Sequence, residues 1–528
     1  MDKQKCIKKM MLAIVITSLL FCTYCPNYVA KQDTNIPELK LLTNFPLLDN
    51  FHRQHKLKMG NSFERSGWPQ IYDKGIEDYS SAVTVDTQGN IIVTGYTGYT
   101  ENTTDVVDFL TIKYDDEGNE LWNTTFDSGT YDYAWDIISD SRDNVIVFGF
   151  NWTTYGDLQD LNIHFQVVKY DKDGVEQWNL TYHNDINNYP GGITVDSNDC
   201  ILINGGYGNL YEVDFSCWTL KLDSDGLEIW NQTFNEDIIT IGSDVAVDSN
   251  DNVVVGGMSA SFFGQGYIVI RYDSNGNKIS VHRYSRGTQP NAIALDSNDN
   301  IILTGQSFSQ DSNSSTWYTT RSDKNGNLLW VREYDSGDPD IAEDVSVDSN
   351  GNIVTVGWSS FSIEDNYEQC AIIYDKDGKE ICMKRPNIHG FISGVAIDNN
   401  DRIIITGTID KGYNWDYFTN IFVDVAPPPV IMTKPEAKSF YILNNRLFQT
   451  PTNTFIIGKI TISITSNNPT DVTKVEFYID NKLRETLTAP PFEWIWSDRL
   501  FGRYIIKTMA YDESGSVAKY ELNVWKFL

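Results

Sequence analysis

The residues best suited to chemistry in this chain are carboxylates and amides set at alternating positions in short turns. Asp171 and Asp173, or Asp248 with Asn250 and Asn252, put oxygen ligands at every second residue, the spacing from which loops grasp calcium. Each turn is shorter than a twelve-residue calcium loop, none ends on a bidentate Glu, and none reads D-x-D-x-D-G. Bonding of Asp and Asn side chains to their own backbone accounts for this composition without metal. No cofactor is therefore expected, and calcium is the ion such turns would take.

Other chemistry is sparse. The six histidines, His52, His55, His164, His183, His282 and His389, show no H-E-x-x-H or other ligand spacing. There is no G-x-S-x-G, no P-loop and no G-x-G-x-x-G opening a helix. With 72 acidic residues, some carboxylate pair will always fall at a distance workable for glycoside hydrolysis, so the count alone selects none. Four of the seven cysteines lie beyond the first thirty residues. Cys370 and Cys382 flank the turn "YDKDGKE", and Cys200 and Cys217 fall in one repeat, so two disulfides are expected after export, the alternative being four buried thiols.

The turns recur because the elements that carry them recur. "SSAVTVDTQGNIIVTG", ending at Gly95, returns as "GSDVAVDSNDNVVVGG", ending at Gly257, and in five further copies. The aspartate ending the first half of each copy is Asp86, Asp140, Asp196, Asp248, Asp296, Asp348 and Asp398, with spacings of 54, 56, 52, 48, 52 and 50 residues. A second line, "IKYDDEGNELWNTTF" from Ile112, follows in six of the repeats with apolar alternation on both sides of a glycine turn. Each repeat is thus two hairpins, and a period near fifty in strand patterning predicts propeller blades. The seventh repeat runs into "APPPV" where its fourth strand should stand, whereas "GWPQIYDKGIEDYSSA" from Gly67 aligns with a fourth strand and its exit loop. Trp68 to Tyr72 are therefore expected to complete the last blade and close the ring.

These two lines resemble the SBBP-type repeat of secreted and surface proteins over residues 67 to 425. The resemblance implies a seven-bladed β-propeller in an extracellular setting and carries no shared catalytic residue. Residues 426–436 read as a proline-stiffened linker, and residues 437–528 alternate like a sandwich. The run "VEFYIDNKL", followed by "APPFEWIW", resembles the Ig-like modules appended to bacterial and archaeal secreted proteins. The expected fold is all-β, a seven-bladed propeller followed by an Ig-like β-sandwich.

In such a disc the acidic turns share one face, and the longer connections emerge on the other, where propellers bind ligands. Trp152, Tyr155, Tyr207, Phe262, Phe263, Trp317, Trp358, Tyr413 and Trp415 make that rim aromatic, suited to stacking against sugars or gripping a protein. Asn102, Asn123, Asn151, Asn179, Asn231 and Asn313 head N-x-[ST] sequons, three directly after the repeat tryptophan and so expected on the outer wall. Lys3, Lys5, Lys8 and Lys9 before an apolar run ending at Cys22 have the layout of an export signal over residues 1–30, with a lipoprotein-like "LLFC" inside it. Residues 31–66 show no periodicity and read as a spacer or pro-segment.

The formal charge of −31 argues against nucleic acid and anionic lipid as partners, and no later stretch is apolar enough for a membrane span. Three functions follow as expectations. The first is a secreted or surface protein that binds glycan or protein without turnover. The second is a carbohydrate-active hydrolase or lyase, which would need a carboxylate with a shifted pKa in the central channel. The third is a quinoprotein, prompted by the D-x-x-G-x-x-x-W echo of quinoprotein blades, although this chain has seven blades and lacks an adjacent cysteine pair.

Overall fold

A computed structural model describes residues 68–74, 77–101, 104–154, 161–182, 187–209, 214–261, 264–309, 314–361, 366–385, 389–411, 414–422, 430–466, 472–512 and 516–528. The expected export signal and spacer lie outside the described residues, as do Tyr155, Phe262, Phe263, Tyr413, Asn102 and Asn313.

The chain opens with β1 (Gln70–Tyr72) and then lays down antiparallel sheets in sequence order. Blade 1 is β2 (Glu77–Val85), β3 (Ile91–Glu101), β4 (Thr104–Tyr114) and β5 (Glu120–Phe126), and blade 2 is β6 (Tyr131–Ser139), β7 (Val145–Thr154), β8 (Leu161–Tyr170) and β9 (Glu176–Tyr182). Blade 3 runs β10 (Asn187–Val195), β11 (Ile201–Asn209), β12 (Asp214–Leu222), β13 (Glu228–Phe234), and blade 4 runs β14 (Ile239–Val247), β15 (Val253–Ser261), β16 (Gly264–Tyr272), β17 (Lys278–Arg283). Blade 5 comprises β18 (Gln289–Leu295), β19 (Ile301–Ser309), β20 (Ser314–Ser322) and β21 (Leu328–Tyr334); blade 6 comprises β22 (Asp340–Val347), β23 (Ile353–Phe361), β24 (Asn366–Tyr374) and β25 (Glu380–Lys384). Blade 7 has β26 (Gly390–Ile397), β27 (Ile403–Asp410) and β28 (Trp415–Phe422), with β1 as its outermost strand through Gln70, Ile71 and Tyr72 opposite Thr419, Phe418 and Tyr417. The first strands pack in a closed circuit, β2 on β6, then β10, β14, β18, β22 and β26, which returns to β2. This is a seven-bladed β-propeller whose first strands surround the axis.

The repeat residues explain the stitching. In the first turn of blade 1, Asp86 Oδ1 accepts from the backbone N–H of Gln88 (2.9 Å) and Asn90 (2.8 Å), while Asn90 Nδ2 donates to Oδ2 (2.7 Å). The same carboxylate takes Lys113 Nζ of β4 at 2.8 Å, and Lys113 also donates to the backbone carbonyl of Lys172 in blade 2. Lys169 with Asp140 and Lys221 with Asp196 repeat the ion pair at 3.0 and 2.7 Å. Arg271 with Asp248 repeats it at 2.5 Å, and Arg321 with Asp296 completes the series. Burial pushes Asp140 up, but the Asn144 amide and the Lys169 ammonium outweigh it and hold its pKa below the usual carboxylate range.

Neighbouring turns are also bonded to each other. Ser141 donates through N and Oγ to Asp199 (2.9 and 2.8 Å), Ser197 to Asp251, Ser249 to Asp299 and Ser349 to Asp401. Of the turn carboxylates considered for calcium, Asp248 is taken by Arg271 and by the N–H groups of Asn250 and Asn252, Asp171 by the N–H groups of Asp173 and Val175, and Asp173 by Lys172. The repeat tryptophans cap the next blade: Trp122 Nε1 donates to Lys172 O at 3.0 Å with its ring over Gly174, where a φ of +83° and the ring itself leave no room for a side chain. Trp68 Nε1 makes the same bond to Asp116 O of blade 1 (3.2 Å), so the N-terminal strand joins blade 7 to blade 1 as the other blades are joined.

The disulfide expectation fails on register. Cys382 stands opposite Ile373 rather than Cys370, and Cys370 packs with Trp317 toward blade 5 while Cys382 packs with Ile392 toward blade 7. Cys217 stands opposite Gly206, five residues along β11 from Ile201, which follows Cys200. Among the described residues, Cys200, Cys217, Cys370 and Cys382 form no disulfide with one another.

After blade 7 the chain forms β29 (Val430–Lys434), β30 (Ser439–Ile442), β31 (Asn445–Gln449), β32 (Thr454–Ile457), β33 (Ile460–Ser466), β34 (Lys474–Ile479), β35 (Lys482–Leu487), β36 (Phe492–Trp496), β37 (Phe501–Tyr511) and β38 (Ser516–Phe527). A sheet of β29, β33 and β36 faces one containing β34, β37 and β38, with Ile460, Ile462, Phe492 and Trp496 packed on Val475, Phe477, Ile506 and Val524. This is the expected Ig-like sandwich. The stretch read as linker differs, because Val430–Lys434 alternates and pairs with β33 as a strand of the sandwich.

The sandwich is also fused to the disc. β38 adds to the outer edge of blade 6, Met383 opposite Val517 and Lys384 opposite Ser516. Tyr478, Met509, Tyr511 and Val517 share one buried cluster with Tyr334, Cys370 and Met383. Buried Arg385 donates to the Tyr334 hydroxyl in this junction, and Glu476 accepts from the hydroxyls of Tyr478 (2.7 Å) and Tyr511 (2.5 Å).

Candidate functional site at the channel mouth

Every blade carries a bulge at the same place in its first strand. The register slips between Ser80 and Ala82, Ala134 and Asp136, Gly242 and Asp244, Ala342 and Asp344, and at the matching points of blades 3, 5 and 7. A bulge re-aims the side chains beside it. Four residues before the turn aspartate, blades 2, 4 and 6 place Asp136, Asp244 and Asp344, while the other four blades place Ala82, Gly192, Ala292 and Gly394. Each of the three carboxylates accepts from the N–H of the residue that follows it and from the N–H of the next blade's innermost strand: Ile193 on Asp136 (2.8 Å), Ile293 on Asp244 (2.8 Å), Val395 on Asp344 (2.7 Å). The alternation with small residues is steric, since a Cβ on Gly192 would come within 1.9 Å of Asp244 Oδ1.

Glu343, at the bulge of blade 6, joins this ring and accepts from Trp358 Nε1 (2.8 Å) and Asn291 Nδ2 (3.3 Å). Desolvation pushes Glu343 and Asp344 up to about 7, with Asp136 and Glu343 adding repulsion at Asp344. Asp136 and Asp244 are raised by the same burial, and Asp136 and Asp344 further oppose ionisation of Asp244. The axis therefore holds carboxyls that can exchange a proton near neutral pH.

Above these groups, on the side of the longer connections, aromatic rings form an unbroken arc. Tyr367, Trp358 and Phe391 are in mutual contact; Phe391 stacks on Trp415, Trp415 on Tyr79, and Tyr79 on Tyr96. The arc continues through Tyr133 and Phe150 to Trp135, the residue before Asp136, with successive centroids between 4.7 and 6.4 Å. It spans blades 6, 7, 1 and 2. Trp358, Tyr79 and Tyr133 are buried and anchor the arc, whereas Tyr96, Phe150, Phe391 and Trp415 are half-exposed.

The sequence-derived rim divides accordingly. Trp358 and Trp415 belong to the arc. Trp152 lies outside it, half-exposed against Tyr131 at 5.5 Å, and Tyr207 donates to Thr233 Oγ1 at 3.2 Å in blade 3. Trp317 is fully buried between blades 5 and 6 and is no part of a rim, because its position on β20 faces Ala342 and Cys370. Among the sequon asparagines, Asn123, Asn179 and Asn231 are exposed on outermost strands, each bonding the glutamate three residues before it. Asn151 is a correction: it is buried on β7, bonded to Gln166 Oε1 at 3.3 Å, and a glycan there would have no room.

Sequence reasoning missed the axial carboxylates and most of the arc, yet both carry a fixed offset from the turn aspartate. D-x-x-x-D in blades 2, 4 and 6 marks the ring, and an aromatic seven residues before the turn aspartate marks Tyr79, Tyr133 and Phe391 of the arc, as well as Tyr189, which packs on Phe215 within blade 3. The repeat tryptophans that prompt the quinoprotein reading cap the glycine turns of neighbouring blades on the outer side of the sheets.

A family model for a bacterial Ig domain matches residues 448–524. No curated protein sequence matches the chain. Among solved structures, the chain is similar to the Pan2 WD40 domain of Neurospora crassa, at 12% identity over 66% of this chain and 90% of that one, with a TM-score of 0.43. It is similar to polysaccharide lyase Uly1 at 10% identity, 66% and 91% coverage and a TM-score of 0.42. A protein of unknown function from Dyadobacter fermentans is similar at 9% identity, 68% and 98% coverage and a TM-score of 0.41.

Proposed function

We propose that this is an exported, surface or extracellular protein that binds carbohydrate at the channel mouth, with the Ig-like sandwich holding the disc in a fixed orientation. The SBBP-type repeat resemblance and the sandwich support the setting. The observation that carries the binding reading is the aromatic arc of blades 6, 7, 1 and 2, half-exposed beside acceptor carboxylates. Flat apolar ring faces match the C–H faces of a sugar, and carboxylates accept from its hydroxyls. A glycan array on the mature chain tests this: one glycan class should bind, and Trp415→Ala or Tyr96→Ala should each weaken it about tenfold, the loss of one stacking contact. Equal binding by both variants would sink the arc as the site.

A second reading, a carbohydrate-active hydrolase or lyase, is favoured by one observation, the raised Glu343 and Asp344 on the axis. A carboxyl with a pKa near 7 can give or take a proton under physiological conditions. Release of reducing ends or of unsaturated sugars from the glycan that binds, abolished by Asp344→Asn and by Glu343→Gln, would establish turnover. Binding without product keeps the protein a lectin-like receptor.

A further inference from the structure

Three carboxylates converge where the connection from blade 1 to blade 2 crosses β4. Asp108 on β4, Asp127 in the connection and Asp132 on β6 each offer an oxygen, and these oxygens all lie within 4.8 Å of one another. Asp108 and Asp132 are buried and Asp127 is exposed. Local donors orient them: Tyr99 Oη donates to Asp108 (2.7 Å), the Gly129 N–H to Asp127 (2.6 Å), and the Ser128 N–H and hydroxyl to Asp132 (both 2.8 Å).

An independent feature stands beside Asp108. Thr97 on β3 is fully buried, and its Oγ1 has no hydrogen-bond partner among the described residues. Thr97 stands directly opposite Asp108 in the β3–β4 register and opposite Asp78 in the β2–β3 register. Directly opposed residues of an antiparallel pair present their side chains on one face, so the hydroxyl projects beside both carboxyls. A buried hydroxyl without a partner is costly unless something completes it.

The same positions are acidic one junction earlier, where Asp73, Asp78 and Asp416 meet. That group has a cation from the chain itself, Lys411 Nζ at 3.8 Å from Asp416. At the second junction the oxygens of three carboxylates stand within 4.8 Å of one another and repel. A positive charge there would relieve all three carboxylates together.

We propose that Asp108, Asp127 and Asp132, with the Thr97 hydroxyl, form a site for a hard divalent cation of calcium's size. Every donor is oxygen, with no imidazole or thiolate among them, the donor set that suits calcium rather than zinc or copper. Asp127 belongs to the connection, Asp132 to the start of β6 and Asp108 to β4 of blade 1, so the ion ties the connection to blade 1 and to the strand that carries Tyr131 and Tyr133. This site is separate from the acidic turns on the opposite face.

The test uses the full mature chain, stripped with EDTA and dialysed, with calcium chloride and terbium chloride as probes. Terbium luminescence sensitised through Tyr99 should appear and be displaced by calcium, and calcium should raise the thermal midpoint. Asp127→Asn, an exposed change that leaves packing intact, and Thr97→Val should each weaken displacement about tenfold, the usual scale for losing a donor or its support. Asp416→Asn should leave it unchanged. Absence of a calcium-dependent signal at millimolar concentration, or loss of it in Asp416→Asn with retention in Asp127→Asn, overturns the proposal.

Discussion

Lys169 shows what a single repeat residue does. It is buried, bonds Asp140 in its own blade at 3.0 Å, and donates to Ser224 O in the next at 3.1 Å. Removing it leaves a buried carboxylate unpaired, so Lys169→Met should cost about 3 kcal/mol in a urea unfolding experiment, whereas the exposed Lys172→Met should cost little. Equal midpoints for the two variants would show the buried pair to be inert. Blade 6 shows that the pair is dispensable at one place, since Ile373 stands where the lysine would be. Blade 4 lacks the repeat tryptophan at Ser280, and the His282 ring covers Gly326 instead, 2.3 Å from where a Cβ on that glycine would stand.

At the scale of the element, the hairpin turns are set by local chemistry and their packing by the neighbouring blade. Gly129 and Gly174 have almost the same positive φ, +84° and +83°, yet nothing lies within 4 Å of a Cβ on Gly129, whereas Trp122 lies 2.8 Å from one on Gly174. Gly129→Ala should therefore cost only the left-handed penalty of about 1 kcal/mol, and Gly174→Ala clearly more, as read from paired thermal melts. Comparable losses would mean the tryptophan cap yields freely. Strand identity and turn chemistry were legible in the repeat because Asp, Asn and Gly act within a few residues of themselves. Pairing partners of the cysteines were not, because the register sets Cys382 opposite Ile373 and Cys217 opposite Gly206, and residue spacing across a turn does not fix which residues oppose.

For the molecule as a whole, buried carboxyls dominate the response to pH. Asp132, Asp340, Glu343 and Asp344 are pushed up to about 7 by burial, so between about 4 and 7 the folded chain holds more protons than the unfolded one. Stability should then fall as pH rises through that window. The turn aspartates Asp86, Asp140, Asp196, Asp248 and Asp296 are held below their ordinary value, so their contribution is lost below about pH 4. Thermal midpoints in EDTA should peak near about pH 4 and decline toward about pH 7; a midpoint that climbs from 4 to 7 contradicts the assignment. The sandwich covers Tyr334, Cys370 and Met383, so a chain ended at residue 425 should expose that cluster and bind a hydrophobic dye where the full chain does not.

The sequence by itself determined the seven repeats, their four strands, the acidic turns and the sandwich pattern, because each rests on a periodicity or a turn bond contained within a few residues. It also placed Trp68 beside the last blade, since a missing strand and a surplus one have the same grammar. Only the tertiary structure decided that Trp317 lies in a core while Trp415 lines a mouth, that Asn151 is covered, and that Asp136, Asp244 and Asp344 meet on the axis. Those outcomes depend on which side of a blade a residue takes after a bulge and on what the neighbouring blade brings against it. Both are properties of the closed ring, and no single repeat contains them.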